Sequence, residues 1–470
     1  MKRSFLNTVA LATVISTFSM VAHAGEKWVD DWKAYAAKTG EAKHAEWVKQ
    51  ISDPASVKLA KEWADLRGYT ASSLIAKANL PKELKPGLVI NKDNIDSFPW
   101  LKDYLPQADI DRIKSSEWFK WGEIVIVPTN SYYMSRGILE ATRKAVKAGD
   151  NDKVGPKGNL LTSDGKQALL TKADVVPFLH PKNGQELNWT QAFHSIGGDN
   201  LAFKHFDLKV CNSSDKVERK YSADLFWAKF HNRTDYKPLG DIAGEEDAIE
   251  GGSVYFLKPL DIRGLSAVRI RYADPDKTDD FKVYIPSLRR TRTLAGSDAQ
   301  DPMAAGLEIT WDDWRGYWTK IDPRKFDYKM VGEGFVLGQP DTGHVYVPVT
   351  FNDNGCVVKR IELELRPVWK LQVTDKTGQY LYSKRLLYID KENYYQQYQE
   401  MYDRRGNLFR IWDDARDFDP KTGQAQWREV LNWNPISNRM THMDMASSWK
   451  QLKKGLPPSL FNIDELRDYR

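Results

Sequence analysis

From residue 200 onward, apolar and polar positions alternate in short runs, each stopped by Gly, Pro or Asp. A period of two predicts antiparallel strands rather than helices. The run 201–210 places Ala202, Phe206, Leu208 and Val210 on one face. The run 220–232 places Leu225 and Trp227 on one face and Phe226, Ala228 and Phe230 on the other, which predicts cover on both sides. The stretch 251–313 holds a dense series of such runs, and more follow at 328–337, 344–350, 357–366 and 380–390. A hairpin turns at Arg404-Arg405-Gly406 between 394–403 and 407–412, and one more strand is expected at 426–433. In 357–366, Ile361, Leu363 and Leu365 oppose Arg360, Glu362, Glu364 and Arg366. That pattern predicts one buried face and one wet face.

Before residue 120 the period changes. Trp28, Trp32 and Tyr35 fall at helical spacing, as do Trp47 and Ile51. Asp53-Pro54 opens a second helix that runs through Leu59, Trp63 and Leu66 to Gly68. Such Trp-rich helices either pack on the sheet or grip a partner. Pro81, Pro86 and Pro99 break the next stretch into turns. A strand is expected at 121–128, then a helix at 133–146 capped by Ser131. Residues 149–170 read as a surface excursion, and Trp189 precedes a loop with Gly197-Gly198. The tail 447–470 reads as a short basic helix, the Pro457-Pro458 break and a polar turn. The expected fold is mainly β with N-terminal helices (α+β), built on a large curved antiparallel sheet, half-barrel or barrel. The expected division is a helical segment at 25–120, a β domain at 121–446 and a polar tail at 447–470.

Residues 1–24 have the form of a cleavable leader. Lys2-Arg3 precede an apolar stretch, and Ala22-His23-Ala24 fits cleavage after Ala24. The leader carries no cysteine for lipid attachment. The expected product is therefore an exported, periplasmic protein without a transmembrane segment. At 470 residues the chain is long enough for one large or two ordinary cores. A formal charge of +5 gives no argument for nucleic acid. With 17 Trp and 21 Tyr, the sheet has the aromatic content of a binding surface or of an ordinary β core. Cys211 and Cys356 either form a disulfide in an oxidising compartment or stay separate buried thiols.

Two common catalytic motifs are missing from the sequence. It has no Gly-x-Ser-x-Gly and no His-Glu-x-x-His. His442 and Asp444 are two ligand types and not a metal site. Gly332, Gly334 and Gly338 lack the spacing and βαβ context of a dinucleotide loop. The acidic run 244–250 reads as a solvated turn. Asp312 and Asp313, between Trp311 and Trp314, suit a helix start better than a glycosidase or cation site. No cofactor and no metal is expected. One feature stands out. Arg289, Arg290 and Arg292 follow Pro286 at a strand end. Such a cluster holds a lipid headgroup or an acidic partner, or else pairs with Asp312 and Asp313. Ile270 and Val283 are the expected inward apolar residues of this region, and with Trp311 and Trp314 they are the expected ligand-binding residues beside the arginines.

Three groups of residues carry a family resemblance. The first is Pro259-x-Asp261-x-Arg263-Gly264, then Tyr284-x-Pro286 through Arg289-Arg290-x-Arg292, then Asp312-Asp313-Trp314. The second is 176–189. The third is Tyr388-Ile389-Asp390 with 402–412. Together they resemble the Gram-negative periplasmic domain-of-unknown-function family numbered 1329, related to the lipoprotein carrier LolA and acceptor LolB. The resemblance implies a LolA/LolB-like sheet and a carrier for a lipid or other hydrophobic molecule. It also implies work with a resistance-nodulation-division exporter and an outer-membrane β-barrel protein. An envelope hydrolase acting on lipid or glycan, and a non-catalytic adaptor between the membranes, are the alternatives. The chain is roughly twice the usual domain size, so its extra segments have room to plug the concave face.

Overall fold

The computed structural model describes residues 27–115, 121–171, 175–193, 198–242, 246–295, 298–445 and 449–469. The expected leader, 1–24, lies outside them.

Sixteen strands form one sheet. It starts at the edge strand Val89–Asn91 and passes through Trp121–Ile126 to the long central strand Val358–Asp375. It continues through Lys384–Asp390, Gln396–Tyr402, Leu408–Asp419, Gln424–Asn434 and Arg439–Asp444. Asn200–Cys211, Val217–Lys229, Ala248–Lys258, Ser266–Tyr272 and Asp280–Ile285 follow, and Arg290–Thr293 is the far edge. Phe326–Gly338 and Val349–Phe351 also pair with the central strand. The pairing is antiparallel except between Trp121–Ile126 and Val358–Asp375. The two ends do not meet, so the sheet is open and the barrel expectation is corrected.

One face of the sheet is filled by the rest of the chain. Leu371, Leu387, Met401, Trp412, Val430, Met443, Leu208 and Val254 share a core with two added layers. The first layer is helical: Trp28 and Trp32 in 27–39, Trp47 in Ala42–Ile51 and Trp63 in Pro54–Arg67, all at 0% exposure. The second is the segment 294–325, which brings Trp311, Trp314, Tyr317 and Trp318 onto the sheet. The other face is covered too. Residues 90–113 pack over Leu363, Tyr398 and Trp433. The tail lays Leu452, Leu460, Phe461 and Leu466 on Phe226, Phe230 and Ile270. The tail is thus an apolar clamp, not a polar extension.

Several local expectations change for physical reasons. Ala202 faces away from Phe206, Leu208 and Val210, because a bulge between Phe203 and Phe206, with His205 at φ +55°, inverts the alternation. The cap of Arg136–Ala148 is Ser135, whose Oγ accepts from the Ile138 amide at 3.3 Å. Ser131 instead donates to Glu392. Trp189 sits inside the helix Gly184–Phe193. The strand expected at 344–350 shrinks to Val349–Phe351, and Arg439–Asp444 is an additional strand.

The largest change concerns the expected wet face of the central strand. Glu362, Glu364 and Arg366 are 1%, 0% and 0% exposed. The N-terminal helices and the loop after Val127 cover them with partners. Lys43 and His44 meet Glu362, and the Asn130 side chain donates to Glu364 at 3.0 Å. Arg366 binds Asp390 at 2.7 Å and Glu392 at 2.8 Å. Cys211 and Cys356 form a disulfide, with their Cα atoms 5.6 Å apart. No helix among the described residues is long and apolar enough to cross a membrane.

Candidate functional site

The segment 294–325 builds the site. Thr310 opens a short 3-10 helix, Trp311–Asp313, by a cap on the aspartate: its Oγ1 and its amide both donate to Asp313 Oδ2, at 2.8 and 3.0 Å. Arg315 and Gly316 then take positive φ, +59° and +76°, and turn the chain back. A Cβ at Gly316 would overlap Gln396 Nε2, so only glycine fits there.

This turn aims acids at arginines rising from the sheet. Asp312 accepts from Arg269 Nη1 at 2.8 Å and from Tyr380 Oη at 3.0 Å. Asp313 pairs with Arg385 at 2.8 Å and accepts from Tyr382 at 2.9 Å. Glu308 meets Arg410 at 3.3 Å. Burial opposes the charges of Arg269 and Arg385. Asp312 and Asp279 outweigh it at Arg269, and Tyr380, Asp313 and Tyr382 outweigh it at Arg385, so both pKa values rise. The acid pair therefore anchors the segment to the sheet, and its arginine partners are Arg269 and Arg385, not Arg289, Arg290 or Arg292.

Beside this anchor a small cavity of about 80 Å³, open to solvent at its mouth, lies between the segment, the strand ends near Glu250 and Arg271, and the helix carrying Trp189. Leu169, Trp189, Ile249, Tyr317, Trp318 and Ile321 supply apolar wall. Its charged lining is four cations, Lys229, Arg271, Arg315 and Lys320, against one carboxylate, Glu250. Arg315 is 3% exposed and stacks 3.8 Å from the Trp227 ring centre. Its Nη1 donates to Glu250 at 3.2 Å, while its Nε and Nη2 have no hydrogen-bond partner among the described residues. Burial pulls the Arg315 pKa down to about 10, against the pull of Glu250. Trp318 Nε1 donates to the other Glu250 oxygen. Arg271 donates to the Trp318 carbonyl at 2.7 Å and to Asp279 at 3.0 Å. Glu250 thus belongs to a buried network, and the solvated-turn reading of 244–250 does not hold for it. Residues 243–245, which overlap that run, lie outside the described ones.

The other sequence candidates are scattered. Trp311 and Trp314 are each 5% exposed and pack closely with Phe281 and Trp318, with no cavity between them. Val283 faces this core, but Ile270 lies on the opposite face under the tail, so the pair does not line one surface. Pro259, Gly264 and Pro286 form two adjacent turns, with Arg289, Arg290 and Arg292 exposed beside them. His442 is a structural residue: its ring nitrogens meet the Gly355 carbonyl at 2.8 Å and Glu429 at 2.7 Å, while Asp444 pairs with Arg428.

One group of metal-ligand types converges among the described residues, Glu41, His44 and Glu362. Lys43 already brings a positive charge to Glu362, and Tyr346 donates to it at 2.8 Å. Burial raises the Glu362 pKa, but His44 and Lys43 outweigh it and hold the carboxyl low. The site is satisfied by protein.

Sequence reasoning missed Arg315, Glu250, Arg271 and Trp318. The available signal was Arg315-Gly316, a turn dipeptide set among tryptophans.

None of the curated proteins compared with the chain matches it. Similar solved structures include the following three. A domain described as an outer membrane lipoprotein-sorting protein, from Vibrio parahaemolyticus, is 15% identical, covers 60% of this chain and 98% of its own, and has a TM-score of 0.42. A DUF1329 family protein from Desulfovibrio piger is 16% identical over 57% of this chain and 92% of its own, with a TM-score of 0.40. A LolA superfamily protein from Nitrosomonas europaea is 12% identical over 60% and 99%, with a TM-score of 0.37. Likeness at this level carries no argument about ligand or partner. The family model described as protein of unknown function (DUF1329) matches residues 89–467, and the chain belongs to that family.

Proposed function

We propose that this protein is a binding and carrier protein for a hydrophobic molecule that bears an acidic group. The observation that carries this reading is Arg315: a guanidinium at 3% exposure, with two donor atoms unpartnered among the described residues, lining a small aromatic-walled cavity that opens to solvent. A buried donor without a partner is costly, and an incoming carboxylate or phosphate relieves that cost. Trp189, Tyr317 and Trp318 offer their apolar surface to the body of the ligand. Each methylene removed from water contributes about 0.8 kcal/mol. Both faces of the sheet are covered by the chain itself, so the ligand enters beside the segment 294–325 and not along the whole sheet.

In this reading the mature protein works in the periplasm. Loading and handover involve envelope transport machinery, and the family resemblance points to a resistance-nodulation-division exporter and an outer-membrane β-barrel protein. Handover requires only an acceptor that binds the ligand better.

Tryptophan fluorescence and calorimetry with oleate and oleyl alcohol test the idea. Oleate is expected to bind at one molecule per chain, and the alcohol at least about tenfold more weakly, the range of a charge-assisted hydrogen bond. Arg315→Gln is expected to remove that preference. Failure of both compounds to bind, or equal binding of the two, would overturn the proposal.

A further inference from the structure

The far corner of the sheet carries a second feature that the cavity does not use. The turn 259–265 joins Ala248–Lys258 to Ser266–Tyr272, and the turn 286–289 joins Asp280–Ile285 to the edge strand Arg290–Thr293. Both turns lie at the same end, because Ser266 pairs with Tyr255 on one side and Tyr284 on the other. They touch: a Cβ at Gly264 would lie 3.4 Å from Pro286 Cγ.

Each turn presents a leucine to solvent. Leu260 is 84% exposed and Leu288 is 49% exposed. Around them Lys258, Arg263, Arg289, Arg290 and Arg292 are all exposed. None of these five side chains forms an ion pair or hydrogen bond among the described residues. The nearby acid, Asp261, is neutralised by Arg219. A single exposed leucine is ordinary. Two on adjacent turn tips, ringed by five unpaired cations, are a different arrangement.

We propose that this corner docks the protein on an anionic lipid bilayer. The two leucines enter the interface between headgroups, and the arginine forks take the lipid phosphates. Both leucines sit on exposed turns, and apolar turn tips beside basic side chains suit the interface of a fluid anionic surface. Attraction of this kind grows with each basic residue near the surface and is screened by salt. Glu250 at the cavity and Lys258 at the corner are eight residues apart on one strand, roughly 26 Å at the usual rise. Docking therefore leaves the cavity clear of the bilayer, and this proposal stands or falls separately from the ligand.

The test is flotation of the mature protein with vesicles of phosphatidylglycerol and phosphatidylethanolamine, and with phosphatidylcholine alone. Binding is expected only to the anionic vesicles and is expected to weaken with salt. The triple variant Arg289→Glu, Arg290→Glu, Arg292→Glu is expected to lose at least tenfold in affinity, and Leu260→Ser several-fold, with thermal melting unchanged. A control with the same change of charge, Arg143→Glu, Lys144→Glu, Lys147→Glu on the helix Arg136–Ala148, is expected to bind normally. The proposal is overturned if the wild type ignores anionic vesicles, or if the control loses as much as the corner variant. It is also overturned if Leu260→Ser has no effect while polyglutamate binds as well as the vesicles, which would mark an acidic protein as the partner.

Discussion

Gly316 illustrates how single residues hold the site. Its positive φ turns the segment 294–325 back over the sheet, and Gln396 fills the space where a side chain would stand. Gly316→Ala is expected to cost about 2–4 kcal/mol, combining backbone strain with overpacking. Urea denaturation measures it, and a loss under about 0.5 kcal/mol, the range of a neutral surface change, would show that the turn tolerates a Cβ. At this scale the sequence was partly legible. Asp312 and Asp313 read as structural from their flanking tryptophans, and they are anchored by Arg269 and Arg385. Those arginines stand dozens of positions from their acids, and no local pattern encodes so distant a pairing. Glu250 was illegible for the same reason: in sequence it ends an acidic run, and in space it meets Trp318 and Arg315.

Among the elements, alternation located most strands of the second half, because one-sided burial imposes a period of two. It failed at His205, where a bulge reverses the faces, and at the central strand, where both faces are buried. The disulfide ties the end of Asn200–Cys211 to the turn before Val358–Asp375 across 145 residues. Closing so long a loop in the unfolded chain removes entropy worth about 4–5 kcal/mol in the chain-entropy model. Cys356→Ser is therefore expected to lower stability by a value of that order, and the loss should appear in the wild type on adding reductant. If reductant and substitution both leave the urea midpoint in place, the bond does not constrain the unfolded state.

For the whole molecule, the unusual property is the amount of charge enclosed between layers. Burial raises the pKa of Glu364 to about 8, against Arg366, and raises Asp413 to about 8 and Asp414 to about 6. Each keeps its proton to a higher pH in the folded protein than in the unfolded chain. Their contribution to stability is complete below the ordinary carboxylate range and is lost as pH rises toward 8. Asp279 and Asp390 act in the opposite sense. Burial raises them, but arginines outweigh it and hold them low, so their contribution fades as pH falls below the ordinary range. Stability is thus expected to peak at about pH 4–5, at the ordinary carboxylate range, and to fall steadily to about pH 8.5. Thermal melting across that range checks it, with Glu364→Gln expected to flatten the decline; a melting temperature that rises with pH would contradict it. The sequence by itself determined the strand-rich second half, the helical start and the ample supply of aromatic residues, because each follows from composition or from the period of neighbouring positions. Only the tertiary structure decided that the sheet stays open, that both its faces are covered, and that Arg315 lines a cavity. Those outcomes depend on which distant segments meet, and contacts between residues far apart in the chain leave no periodic trace in it.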